Sequence, residues 1–126
     1  MRNYFIARIR SFGYAFRGIG IFFRDTPHAQ IHLLAIVLIS ALGGWLGLSA
    51  TEWCLILICM GLVIVAEALN SALEYLTDLA SPEVHPLAGK AKDVAAGAVL
   101  LGVIFAAGVW GIIFLPKLWA LVSPAG

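Results

Sequence analysis

Charge is scarce in this chain. Only 12% of its 126 residues are Asp, Glu, Lys or Arg, about half the roughly 25% typical of a water-soluble domain. Eight basic residues against seven acidic ones leave a net charge of +1, so the basic face that a nucleic-acid-binding protein needs is missing and no nucleic acid partner is expected. Cysteine is nearly absent. Cys54 and Cys59 lie about 140° apart around a helix, too far to bridge one another, and read as apolar fillers; no Cys and His spacing suits a metal. Disorder is excluded as well, because chains that stay unfolded are poor in hydrophobic residues, and here these make up 62%. What is abundant is long apolar sequence, which makes this an integral membrane protein with length for one domain, residues 1–126.

A helix crosses the roughly 30 Å hydrocarbon core with about 20 mostly apolar residues. Three stretches qualify: residues 30–48, 53–79 and 94–115. The middle one has two halves. Trp53 to Ala66 is free of charge, whereas Glu67 to Leu79 carries Glu67, Asn70, Ser71, Glu74, Thr77 and Asp78, so it reads as one long helix whose lower part leaves the lipid. The connections are Ser49-Ala50-Thr51-Glu52 and the turn-rich Ser81-Pro82-Glu83-Val84-His85-Pro86, followed by Gly89.

Residues 1–26 read as an amphipathic surface helix. Their five arginines and lack of an uninterrupted apolar segment do not fit a cleavable signal. On a wheel Phe5, Ile9, Phe12, Phe16, Ile19 and Phe23 share one face, with Arg10, Arg17 and Arg24 beside it to snorkel toward phosphates. Ile21 and Phe22 interrupt the pattern, which predicts a bend or an end near Gly18 or Gly20. Basic residues set the orientation: Arg2, Arg8, Arg10, Arg17 and Arg24 precede the first span, Lys90 and Lys92 lie between the second and third, and Lys117 alone falls on the other side. The N-terminus is therefore expected in the cytoplasm, with the acidic lower half of the second span, while Glu52 lies on the far side.

Glu67, Asn70, Ser71, Glu74 and Asp78 follow one another at three- and four-residue steps and so occupy one arc of about 100°. Such a stripe cannot face lipid; it must meet protein, a wet cavity or a ligand. Glu67, about 21 Å along the helix from Trp53, reaches the depth of a lipid headgroup, where a carboxylate can act as general base toward an alcohol. Glu74, two turns nearer the cytoplasm, suits a hard cation carried by a nucleotide. The following loop brings Glu83, His85, Lys90, Lys92 and Asp93 to the same surface. Lys92 is placed to offset phosphate charge, and Asp93 to cap the third span. Simpler readings stand beside these: the stripe as helix-packing seam, Lys90 and Lys92 as topology signals, His85 as a solvated loop residue. Gly89-Lys90 is followed by Ala91, so there is no Walker loop, and protein-kinase signatures are missing.

The run Glu67-Ala-Leu-Asn70-Ser71-Ala-Leu-Glu74, with His85-Pro-Leu-Ala-Gly-Lys90-Ala-Lys92-Asp93-Val-Ala-Ala-Gly-Ala-Val, closely resembles the signature of the prokaryotic diacylglycerol kinase family. Gly13-Tyr14-Ala-Phe-Arg17-Gly18 looks like that family's surface helix, and Gln30-Ile31-His32 is similar to the start of its first span. The His-Pro-Leu-Ala form and the run after Asp93 look more like the undecaprenol kinase branch. The resemblance implies an all-α homotrimer of three-span subunits in the bacterial cytoplasmic (inner) membrane, using ATP and Mg2+ to phosphorylate a lipid alcohol. It further implies Glu67 as catalytic base with Asn70 beside it, and Glu74 as ligand of metal and nucleotide. Tyr14, Glu83, His85, Lys92 and Asp93 would contact ATP; Glu67, Ser71 and Arg17 would bind the lipid substrate. One departure stands out. Where the family places a second metal-binding glutamate this chain has Thr26, with Asp25 one residue earlier as the candidate replacement.

These readings converge on phosphoryl transfer from ATP to a membrane alcohol at the cytoplasmic interface, undecaprenol before diacylglycerol, whose product would be phosphatidate. Two other classes remain open at this point. A small oligomeric proton or cation transporter would also place glutamates at depth, although Trp53 to Ala66 offers no polar continuation. A structural subunit would use Gly43-x-x-x-Gly47 and Ala98-x-x-x-Gly102-x-x-x-Ala106 for close helix contacts.

Overall fold

The computed structural model describes residues 2–123. Four helices follow one another: α1 (Arg2–Asp25), α2 (Pro27–Trp45), α3 (Ala50–Ala80) and α4 (Pro86–Val122). The last three are long and apolar enough to cross a bilayer. At 1.5 Å per residue the 31 residues of α3 extend about 46 Å, well beyond a core of about 30 Å. Its charged end therefore has length to reach out of the hydrocarbon.

Each boundary has a local cause. Pro27 removes a backbone donor and pushes Thr26 into an extended conformation (φ −110°, ψ 107°), which separates α1 from α2. The Gln30 amide then donates to the carbonyls of Phe23 (3.3 Å) and Arg24 (3.4 Å) at the end of α1. Between α2 and α3 the chain turns at Gly47, whose φ of +65° is strained for any residue with a Cβ. Ser49 then opens α3 with a reciprocal cap: its hydroxyl accepts from Glu52 N (3.3 Å), and the Glu52 carboxylate accepts from Ser49 N (2.7 Å).

Several boundaries differ from those read off the sequence: α2 starts and ends three residues earlier than 30–48, and Ala50 to Glu52 belong to α3 rather than to a connection. α1 does not end at Gly18 or Gly20 but runs to Asp25, and Phe22, which interrupts the amphipathic pattern, is buried (8% exposed). Ile9, Phe12, Phe16 and Ile19 are exposed, and the Arg2 and Phe5 side chains lie outside the described ones. Asp93 does not cap the last span. His85 does, its Nδ1 accepting from Leu87 N at 3.2 Å, with Pro86 in the first turn; Gly89, Lys90, Lys92 and Asp93 therefore sit on the first turns of α4 instead of in a loop. At its other end α4 continues through Pro116 to Val122, seven residues past the apolar stretch ending at Leu115.

Packing is concentrated in the charge-free half. α3 and α4 form the main helix pair, and α2 touches α3 less extensively. Leu48, Ile56, Met60, Ile113 and Phe114 make one buried cluster, with Ile56 fully enclosed. Trp53 packs so closely on Gly43 that an added Cβ would lie 3.0 Å from its ring. Lys117 and Glu52 pair at 3.2 Å across the same end. The two cysteines are free. The polar stripe begins where this core stops.

Candidate active site

Three of the stripe's five members are buried: Glu67 (3% exposed), Asn70 (7%) and Ser71 (4%). Two of them carry a shielded oxygen with no partner, Glu67 Oε1 and Asn70 Oδ1. Burying such groups unsatisfied costs roughly 1–3 kcal/mol each, more for a charge. The Asn70 amide donates to Glu74 Oε1 at 3.4 Å, so the first amide of the stripe holds the next carboxylate. The Ser71 hydroxyl donates to the Glu67 carbonyl at 3.0 Å and accepts from the Thr26 hydroxyl at 3.5 Å, which ties α3 to the α1–α2 junction.

Three hollows lie along this part of α3. A cleft of about 340 Å3 is walled by Glu67, Asn70 and Glu74 from α3, by His28 and His32 from α2, and by apolar side chains of α4. On one flank an apolar groove of about 640 Å3 runs between α1 and α3, lined among others by Gly18, Phe22, Ala68, Ala72 and Tyr75, with Ser71 at its polar edge. Toward the charged end a pocket of about 330 Å3 gathers Asp78, Glu83, His85, Gly89 and Lys92. There Lys92 Nζ and Asp78 Oδ1 pair at 3.0 Å, both well exposed. Glu74 and Asp78 stand one turn apart, so cleft and pocket share the stripe.

The residues read from sequence are distributed unevenly over these hollows. Glu67, Asn70 and Glu74 share the cleft, while Glu83, His85 and Lys92 share the pocket. Asp93 is exposed on α4, and Tyr14 and Arg17 are exposed on α1, outside all three hollows. Asp25 is engaged with Arg24 at 2.7 Å, and the Arg24 hydrogen bond holds its carboxyl below the usual carboxylate range. Among the described residues no three His, Cys, Asp or Glu side chains gather as a ready metal cage. That donor set suits Mg2+ arriving on a nucleotide, which takes one or two carboxylates and completes its shell with phosphate oxygens and water; Glu74 is the cleft carboxylate so held. Sequence reasoning missed Thr26, His28 and His32 as site residues. The signal was present in the four-residue step from His28 to His32, which puts both on one face of α2.

Three helices long and apolar enough to span a bilayer, with a carboxylate-lined cleft beside an apolar groove, define a membrane protein with a polar recess among its helices. The model of the family described as prokaryotic diacylglycerol kinase matches residues 13–114, and the chain belongs to that family; it is a lipid kinase. It is 38% identical over 117 residues to an undecaprenol kinase of Bacillus subtilis, covering 93% of this chain and 95% of that protein. To a diacylglycerol kinase of Helicobacter pylori it is 43% identical over 87 residues, 69% of this chain and 67% of that one. A diacylglycerol kinase of Escherichia coli is 31% identical over 105 residues, 83% and 86% of the two chains. Membership of a kinase family sets aside the transporter and the purely structural seam as this chain's role.

Proposed function

We propose that the protein, as a homotrimer with its N-terminus and site facing the cytoplasm of the bacterial inner membrane, transfers the γ-phosphoryl group of ATP to the hydroxyl of undecaprenol. The observation that carries this reading is the convergence of three hollows on one stripe: an apolar groove for a lipid chain, a carboxylate cleft for the reacting hydroxyl, and a pocket with a cation for phosphate. In the transfer the lipid hydroxyl oxygen bonds to the γ-phosphorus, its proton passes to Glu67, and the bond to the bridging oxygen breaks to release ADP. Phosphoryl transfer asks mainly for positioning and charge neutralisation. Glu74, oriented by Asn70, holds the nucleotide's Mg2+, whose chemistry when bound is to withdraw charge from the phosphate oxygens. Glu83, His85 and Lys92 receive the nucleotide, Lys92 exchanging Asp78 for phosphate. Tyr14, Arg17, Asp25 and Asp93 stand apart in the single subunit, so their proposed contacts with ATP, lipid and metal require a neighbouring copy or closure on the ligands.

Undecaprenol is favoured over diacylglycerol by the His85-Pro-Leu-Ala form and by the B. subtilis relative, whose likeness spans nearly both chains. The groove supports a bulky chain, since Gly18, Ala68 and Ala72 in its lining leave width for methyl branches. The H. pylori and E. coli relatives keep the second reading, diacylglycerol converted to phosphatidate. Turnover of labelled ATP on each lipid in mixed micelles separates them: undecaprenol is expected to show the higher kcat/KM, and the opposite order selects diacylglycerol.

A further inference from the structure

Two shielded atoms of opposite hydrogen-bonding sense belong to residues that each share a cavity wall with one histidine. Glu67 Oε1 is an acceptor without a partner, and Trp110 Nε1 is a donor without one. His32, half-buried on α2, lines the cleft that contains Glu67. It also lines a second, small void of about 20 Å3, shared with Met60, Val63 and Trp110, which is room for a single water. A neutral imidazole offers one N–H donor and one bare nitrogen acceptor, the complement of what the two orphans lack.

We infer that His32 is a positioning residue for the base: one ring nitrogen donates to Glu67 Oε1, and the other accepts from Trp110 Nε1 through a water held in the small void. The second carboxylate oxygen of Glu67 is thereby left to face the lipid hydroxyl. The other polar side chains around the cleft do not compete for this place. His28 is one turn nearer the helix start and exposed, Glu74 already accepts from Asn70, Asn70 Oδ1 is itself an acceptor, and α4 contributes apolar residues only. The carboxylate sits at lipid depth, where bulk water cannot hold its orientation, so a fixed donor supplies what solvent would supply elsewhere. This inference rests on Glu67 being the base.

The test is steady-state kinetics of His32→Leu, His32→Gln, Trp110→Phe and the His32→Leu/Trp110→Phe pair in detergent micelles, with Glu67→Gln measured alongside. His32→Leu is expected to lower kcat about 10- to 100-fold with the KM for Mg-ATP within about twofold of wild type. Glutamine keeps a donor and an acceptor, so His32→Gln is expected within about threefold of wild type. Because the indole acts only through the imidazole, the double variant is expected to be no slower than His32→Leu alone. Wild-type kcat in His32→Leu, equal losses in His32→Gln and His32→Leu, or additive losses in the pair would each overturn the assignment. Where His32→Leu yields no folded protein, Trp110→Phe decides: a lowered kcat at unchanged KM supports the chain of contacts, and full activity refutes it. Activity retained by Glu67→Gln would overturn the base and this inference together, whereas an inactive Glu67→Gln beside a fully active His32→Leu removes only the role of His32.

Discussion

Under the proposed mechanism, replacing Glu67 by Gln is expected to separate catalysis from folding. The two side chains have the same shape, so the packing around a residue 3% exposed is preserved and only the charge and the basicity are lost. A positioned general base contributes roughly 10²- to 10⁴-fold to a rate, or about 3–5 kcal/mol at 1.36 kcal/mol per decade. Stability is expected to move the other way. Glu67 has no cationic partner among the ion pairs of the described residues, and one neutral donor such as His32 does not neutralise a buried carboxylate, so the folded state bears a cost that a neutral amide reduces. The variant should therefore lose at least about a hundredfold in kcat, keep its KM for Mg-ATP, and unfold at the same temperature as wild type or higher. Transfer from labelled ATP to extracted lipid gives the first two quantities, and tryptophan fluorescence during heating in detergent gives the third. A kcat within a few-fold of wild type would refute the base; a sharply lowered midpoint would show instead that the carboxylate holds the fold.

Asn70→Ala removes the amide that donates to Glu74 at 3.4 Å and is expected to raise the Mg2+ concentration needed for half-maximal activity about 10-fold, since a partner that orients a metal-binding carboxylate typically has that weight; an unchanged Mg2+ titration would remove Asn70 from this role. Lys92→Met is expected to raise the KM for ATP about tenfold through loss of one phosphate contact, whereas Asp78→Asn, which releases Lys92 from an exposed pair of 3.0 Å, should leave that KM at or below wild type; matching increases in both variants would mean that the pair itself, rather than its lysine, matters. Ser49→Ala takes away the α3 cap and should lower stability by about 1 kcal/mol while kcat stays unchanged, as read by unfolding and turnover on the same preparation.

The spans, the long α3 and the clustering of Glu67, Asn70 and Glu74 were legible because each follows from a period or a run length. Polar residues at three- and four-residue steps can share only one face, and twenty apolar residues in water have no stable place. What could not be read this way depended on partners from other helices. Phe22 looked like a break in the α1 pattern, yet it is the buried aromatic of that helix, lying in the wall of the groove between α1 and α3. Asp93 looked like a cap because it precedes an apolar run, but His85 followed by Pro86 starts α4 two turns earlier and turns a supposed loop into helix. Thr26 attracted notice only for what it replaced. Its burial against Ser71 becomes visible once α1 and α2 are seen to meet over the stripe.

Under the proposed function the bundle divides stability and chemistry between its two ends, and the division follows from the cost of the site. Glu67 and Asn70 are polar side chains held buried, and their desolvation costs stability that contacts elsewhere must offset. The compensation is at the opposite end: the Leu48, Ile56, Met60, Ile113 and Phe114 cluster, the close seat of Trp53 on Gly43, the Ser49 cap and the Glu52–Lys117 pair. Because α3 and α4 run unbroken through both ends, rigidity generated in the apolar half is transmitted to the stripe by the helices themselves. Substitutions in that half should thus change how much heat the protein withstands well before they change how fast it transfers phosphate, and substitutions along the stripe should do the reverse.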